Sequence, residues 1–89
     1  MAQAVVDPEE LRLFARNLRR FNSELRERTS MLGNQLTSLG ATWRDQEHAK
    51  FTDQFEEHIK VIARFAEATE EYIPYLMRKA EIIEQYQQS

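Results

Sequence analysis

Two histidines are the residues of this 89-residue chain best equipped for chemistry, and Asp45 and His48 stand three apart, a spacing that puts both on one helical face. A carboxylate and an imidazole so placed could hold part of a metal ion's shell, but a protein metal site needs more ligands than these two. A di-iron carboxylate bundle uses Glu-x-x-His on inward faces, and neither His48 nor His58 has a Glu three positions earlier. His58 reads instead as a polar break in an apolar seam, either neutral and buried beside Leu25 or marking where a bundle opens to water. The Ser and Thr hydroxyls are scattered, none with a His and an acid at triad spacing, and two glycines are too few for a phosphate cradle. These residues predict no catalytic site, no metal and no cofactor.

The bulk properties narrow the class further. With 42% hydrophobic and 30% charged residues, the length is that of one soluble domain. Two glycines and two prolines leave too little punctuation for a sheet protein, so the expected fold is all-α. Cysteine is absent, which removes disulfide and thiolate chemistry. Net charge is −3: residues 1–40 hold six Arg against five acids, and residues 41–89 hold six bases against ten acids. An acidic chain argues against nucleic acid as the main ligand, since phosphate neutralisation supplies most of that affinity. No apolar run approaches the ~20 residues of a membrane span. The start, Met1 to Asp7, lacks the basic and apolar regions of a Sec signal peptide, so synthesis and folding in the cytosol are expected, with any export by a route that accepts folded helices.

The elements that would position these residues are two helices and a hinge. Asp7-Pro8-Glu9-Glu10 announces the first helix, with Asp7 as N-cap, Pro8 at the first position, Glu10 closing a capping box, and Val6 with Leu11 as a hydrophobic staple. Leu11, Phe14, Leu18, Phe21, Leu25, Leu32, Leu36 and Leu39 then recur at three-four spacing, with Arg28 at the one skipped position. Gly40 is placed to end this helix in a left-handed conformation. Thr42 is the expected cap of the second helix, with Asp45 in its first turn. Phe51, Phe55, His58 or Ile59, Ile62, Phe65, Thr69, Tyr72 or Ile73, Leu76, Ala80 and Ile83 continue the period, and Pro74 predicts a kink near residues 70–74.

The reading is thus one hairpin over 1–89: helix 1 at about 8–39, hinge 40–43, helix 2 at about 43–86. Folding about residue 41 pairs Leu32 with Phe51, Phe21 with Ile62, Leu18 with Phe65 and Leu11 with Tyr72. It brings Arg12 towards Glu70 and Glu71, and Arg26 towards Glu56 and Glu57, within an Arg12, Arg16, Arg19, Arg26 stripe. Residues 74–89 would then overhang by about 22 Å. That tail carries Tyr75, Leu76, Met77, Ile82, Ile83 and Tyr86, to be covered by an Ala4–Val6 arm, a second copy or another partner. A second apolar line through Val61, Phe65, Tyr72, Tyr75, Ile82 and Tyr86 widens the second helix's face beyond what one helix can cover. Phe65, Tyr72, Tyr75, Ile82 and Tyr86 are accordingly the expected partner interface. The core is completed by another chain, as short two-helix units require.

At the hinge stands a lone tryptophan, in Leu39-Gly40-Ala41-Thr42-Trp43-Arg44-Asp45. Its ring either plugs the bundle end or forms part of a recognition surface. Trp43-Arg44-Asp45, followed by Ala49, Phe51 and Phe55, resembles the WXG family, small helical hairpins related to the early secreted antigens of type VII secretion. The resemblance covers essentially the whole chain, although Asp45 stands where that family has glycine. Its C-terminal Tyr followed four residues on by an acid is missing: Tyr72 is followed by Leu76 and Tyr75 by Lys79. The resemblance implies a homodimer or heterodimer of hairpins in a four-helix bundle, with secretion machinery as a further partner, acting without catalysis. The rival reading is a resident cytosolic coiled-coil adaptor or chaperone that is not exported.

Overall fold

The computed structural model describes residues 6–88, so Ala4 and Val5 of the suggested N-terminal arm lie outside the described residues. Three helices follow one another: α1 (Pro8–Leu39), α2 (Gln46–Glu70) and α3 (Tyr72–Gln88). They form a rod-like all-α hairpin of 67 × 21 × 18 Å. Asp7 caps α1, its carboxylate accepting from the Glu9 amide at 2.9 Å, with Pro8 in the first turn. Only Glu71 separates α2 from α3. Pro74 lies in the first turn of α3, where its missing N–H withdraws the donor that Glu70's carbonyl would receive in a continuous helix.

The buried positions define the seam. Along α1 they are Pro8, Ala15, Asn22 and Leu36, each a multiple of seven from the last, with half-buried Thr29 filling the gap. Half-buried Leu11, Leu18 and Leu25 form the second line of the heptad. On the returning arm the seam is Thr52, Phe55, Ile59, Ile62, Ala66, Thr69, Ile73, Leu76, Ala80 and Ile83, at unbroken four-three spacing across Glu71. Phe14, Phe21, Phe51, Phe65 and Tyr72, expected in the seams, lie instead on their flanks, about half exposed. Small residues took their place because helix axes approach most closely where the facing side chains are small.

Register is set by a polar layer. Asn22 is fully buried and its Nδ2 donates to Thr69 Oγ1 at 2.9 Å and to the Ala66 carbonyl at 3.4 Å. Its Oδ1 has no partner among the described residues, a cost of roughly 1–3 kcal/mol. A single buried Asn of this kind trades stability for a unique alignment. Carried along by heptads, the alignment puts Leu18 opposite Ile73, Leu11 opposite Ala80 and Leu32 opposite Ile59. The expected pairs Leu18 with Phe65, Leu11 with Tyr72, Leu32 with Phe51 and Phe21 with Ile62 are therefore displaced by about two helical turns. The reason is the longer hinge, which reverses the chain near Asp45 instead of residue 41.

This shift removes the overhang. α1 lies closer against α3 than against α2, and Ile73 and Ala80 are buried on it. It also re-pairs the charges: Arg12 makes a two-pronged bridge to Glu84 at 3.0 and 3.1 Å, and Arg26 meets Glu70 at 3.1 Å. The Arg12 guanidinium holds the Glu84 carboxyl below its ordinary range, chiefly through the hydrogen bonds and then through charge, and is itself raised by them. A carboxylate depressed in the folded state stabilises fully above its unfolded value, near pH 4, and that contribution disappears as pH falls through the lower folded value. In thermal melts, Glu84→Gln is expected to be less stable than the parent at pH 7. The two should converge in acid below the carboxylate range; a gap that persists there would contradict the assignment.

Candidate functional site

The hinge is built from the way α1 ends. A helix leaves its last four carbonyls without intrahelical partners, and here each is met. Thr37 accepts from the Gly40 amide, Ser38 from Ala41, and Leu39 from Thr42 and Trp43. Leu36's carbonyl meets His48 Nε2 at 3.2 Å, and Arg44 Nε donates to the Ala41 carbonyl at 3.0 Å. Gly40 is right-handed, with φ −62°, so the expected left-handed stop is not used. Close approach is what the position requires: a Cβ there would stand 3.1 Å from His48 Cε1 and 3.2 Å from the Thr37 carbonyl.

The second correction concerns the cap. Asp45, not Thr42, is the N-cap of α2, its carboxylate accepting from the His48 amide at 3.2 Å, while the Thr42 hydroxyl turns back to the Leu39 carbonyl. Asp45 and His48 thus share a cap. Among the described residues no three His, Cys, Asp or Glu side chains gather as a metal site would require.

Trp43 is half-buried. Its ring meets His48 edge-on at 5.0 Å and Phe51 at 6.0 Å, and Phe51 stacks on Phe55 at 6.1 Å. Phe51 and Phe55 form one wall of a groove of about 280 Å³, lined also by Leu32, Leu36 and Leu39 with Gln35 its polar group. In this half of the hairpin, bulky residues on both seams hold the axes apart, so the core stays open to solvent.

The two flanks of the seam differ in kind. One carries the Arg12–Glu84 and Arg26–Glu70 bridges. The other carries aromatics, and Phe21 meets Phe65 edge-on with centroids 6.5 Å apart. Heptad spacing from that pair puts Phe14 opposite Tyr72, Arg28 opposite His58, and Gln35 opposite Phe51. His58 is exposed here, not buried beside Leu25. The expected interface residues Phe65, Tyr72, Tyr75, Ile82 and Tyr86 are all exposed, and with Val61 they form the outer edge of this aromatic flank.

The sequence pattern described as proteins of 100 residues with WXG matches residues 3–88. The chain belongs to the WXG100 family. This is a family of small helical proteins linked to type VII secretion, whose members typically form dimers. No curated protein and no solved structure matches the chain. In this WXG100 hairpin Asp45, two residues after Trp43, supplies the N-cap of α2. Among the described residues no helix of this WXG100 hairpin is long and apolar enough to cross a membrane.

Sequence reasoning missed the small-residue seam and the hinge role of His48. The available signals were the seven-residue spacing of Ala15, Asn22 and Thr29, and the proximity of His48 to the end of the preceding helix.

Proposed function

We propose that this WXG100 hairpin is a secretion substrate or secretion partner of a type VII-like system, acting through protein–protein contact as a dimer, without catalysis or a bound cofactor. It folds in the cytosol and leaves by a route that needs no Sec signal peptide. The observation that carries this reading is surface. The hairpin exposes 7409 Å², whereas a compact monomer of its 10.6 kDa exposes about 5,500 Å². The excess, about 1,900 Å² per chain, is of the size buried by each partner in a permanent dimer. It includes the half-exposed rings of Phe14, Phe21, Phe65 and Tyr72. The Trp43-Arg44-Asp45 hinge is displayed at one end of the rod, where secretion machinery can reach it.

Expression in a host with and without the membrane ATPase of such a system tests the reading. The chain is expected in the medium only when the ATPase is present. Equal retention in both hosts would contradict export and favour the second reading, a resident adaptor or chaperone. That reading is supported by Leu76 and Lys79, which stand where a Tyr-x-x-x-acid signal would place its acid.

A further inference from the structure

The ion-paired flank of the hairpin lacks an acid at one rung. Arg12 bridges to Glu84 and Arg26 to Glu70, and a heptad step from either pair puts Arg19 opposite Met77, which has no carboxylate to offer. Arg16 and Arg20 stand beside Arg19 on the same turn. All three are exposed, and none makes an ion pair among the described residues. The choice of base is selective as well: every base on α1 is an arginine, whereas the chain's lysines, Lys50, Lys60 and Lys79, all lie on the returning arm. Lysine would serve solubility equally well, but the planar arginine fork is suited to two-pronged contact with an anion.

We propose that this flank holds an acidic amphipathic helix of another protein, its carboxylates on Arg16, Arg19 and Arg20 and one aliphatic side chain in the crevice beside Leu25 and Ile62. The crevice opens on the same flank about 13 Å further along the rod. Its volume is about 260 Å³, room for a leucine or isoleucine side chain, and its walls include Leu25, Thr29, Ile59, Ile62, Ala63 and Ala66. Between arginines and crevice lies the Arg26–Glu70 bridge, a closed pair that adds no net charge. The groove between two antiparallel helices is straight and can take a third helix along it. Acids and an apolar residue two to three turns apart on one helical face would meet both features at once.

The surrounding charges decide which anion fits. Glu9 and Glu10 precede the arginines on α1, Glu24 and Glu27 follow them, and the chain carries −3 overall. A lipid surface or a nucleic acid is broad enough to meet these acids together with the arginines, and would be repelled. A single helix, about 10 Å across, can follow a narrower track. Arg12, Arg16, Arg19, Ser23, Arg26 and Ser30 form such a track at four-three spacing, and no acid stands on it. This flank is also the one opposite the aromatic ladder, so the dimer proposed above leaves it open.

Titration of the isotope-labelled full chain with a synthetic helical peptide, followed by NMR, tests this. The probe is about 20 residues long and carries one leucine and, two to three turns along the same face, a group of glutamates; it is made in both chain directions, since either polarity fits the groove. At low salt one of the two is expected to bind with a dissociation constant below about 100 μM, moving the amide signals of Arg16, Arg19, Ala63 and Ala66 together. The combined Arg16→Gln, Arg19→Gln and Arg20→Gln variant, the filled crevice of Ala63→Leu, and a peptide with alanine for its leucine are each expected to weaken binding about tenfold at unchanged helicity. Failure of both peptides to bind overturns the proposal. Binding indifferent to Ala63→Leu and to the peptide's leucine overturns it too, since charge alone would then account for the contact. Preference for phosphatidylglycerol vesicles over either peptide overturns the helix as occupant. Signal changes confined to Phe21 and Phe65 would put the peptide on the opposite flank, with the same consequence. These outcomes are read on the purified chain and do not depend on whether it is exported.

Discussion

Ile73→Ala is expected to be the most destabilising single truncation in this chain, costing about 3 kcal/mol and lowering the melting temperature by roughly 15 °C. Ile73 is 2% exposed and sits where α3 begins, facing Leu18 in the closest part of the hairpin. Ala15, Ala66 and Ala80 in the same stretch of seam are fully buried and have no side chain able to swing into the space. The hinge tryptophan is the more conspicuous residue, but its ring is half-buried, so Trp43→Ala is expected to cost about 2 kcal/mol, nearer half the full aromatic penalty. Thermal melts of the two variants at one protein concentration check the order. A larger loss at Trp43 would mean that the hinge, not the α1–α3 contact, holds the hairpin closed.

The second large effect concerns association. Phe65→Glu is expected to weaken the dimer by at least about 100-fold while leaving the helices formed. Within one hairpin Phe65 contributes its edge-on contact with Phe21, worth about 1 kcal/mol. In the proposed dimer it falls near the centre of the aromatic flank, where a carboxylate would be buried without a partner, and a two-fold axis doubles that penalty. Helicity measured beside the dissociation constant separates the two effects. Loss of both together would show that Phe65 serves the hairpin itself; loss of neither would remove the aromatic flank as the interface.

These expectations differ from those of the sequence in an instructive way. The all-α hairpin was legible because three-four periodicity, few breakers and a short hinge holding Gly40 and Thr42 all agree. The α1 cap was legible for the same reason, Asp7 and Pro8 being local signals. The register was not. Thr42 and Asp45 are both good N-caps, and the chain reverses near Asp45 instead of residue 41, a difference that counts on both arms and moves every pairing by about two turns.

The seam was misread because hydrophobicity ranks Phe14 and Phe21 above Ala15 and Asn22, although both lines follow the same period. What distinguishes them is backbone approach, which favours small side chains at the contact and appears only when both arms are considered together. The proposed interface rests on a different signal. Tyr72, Tyr75 and Ile82 are surplus to one seam, and surplus apolar residues at helical spacing are visible in a sequence without knowledge of register.

The thinness of the core unites these points. Among the described residues the largest side chain below 2% exposure is that of Asn22, and the other fully buried positions are alanines. So little apolar volume is marginal for an independent domain, which is the physical reason for expecting a second chain.

The most direct test of that claim is light scattering during size-exclusion chromatography of the unaltered chain across a hundredfold range of concentration, with helicity recorded on the same fractions. A particle of twice the 10.6 kDa chain mass, persisting to the lowest concentration, is the predicted result. A fully helical, cooperatively melting monomer throughout would show that the hairpin is complete by itself and would contradict the account.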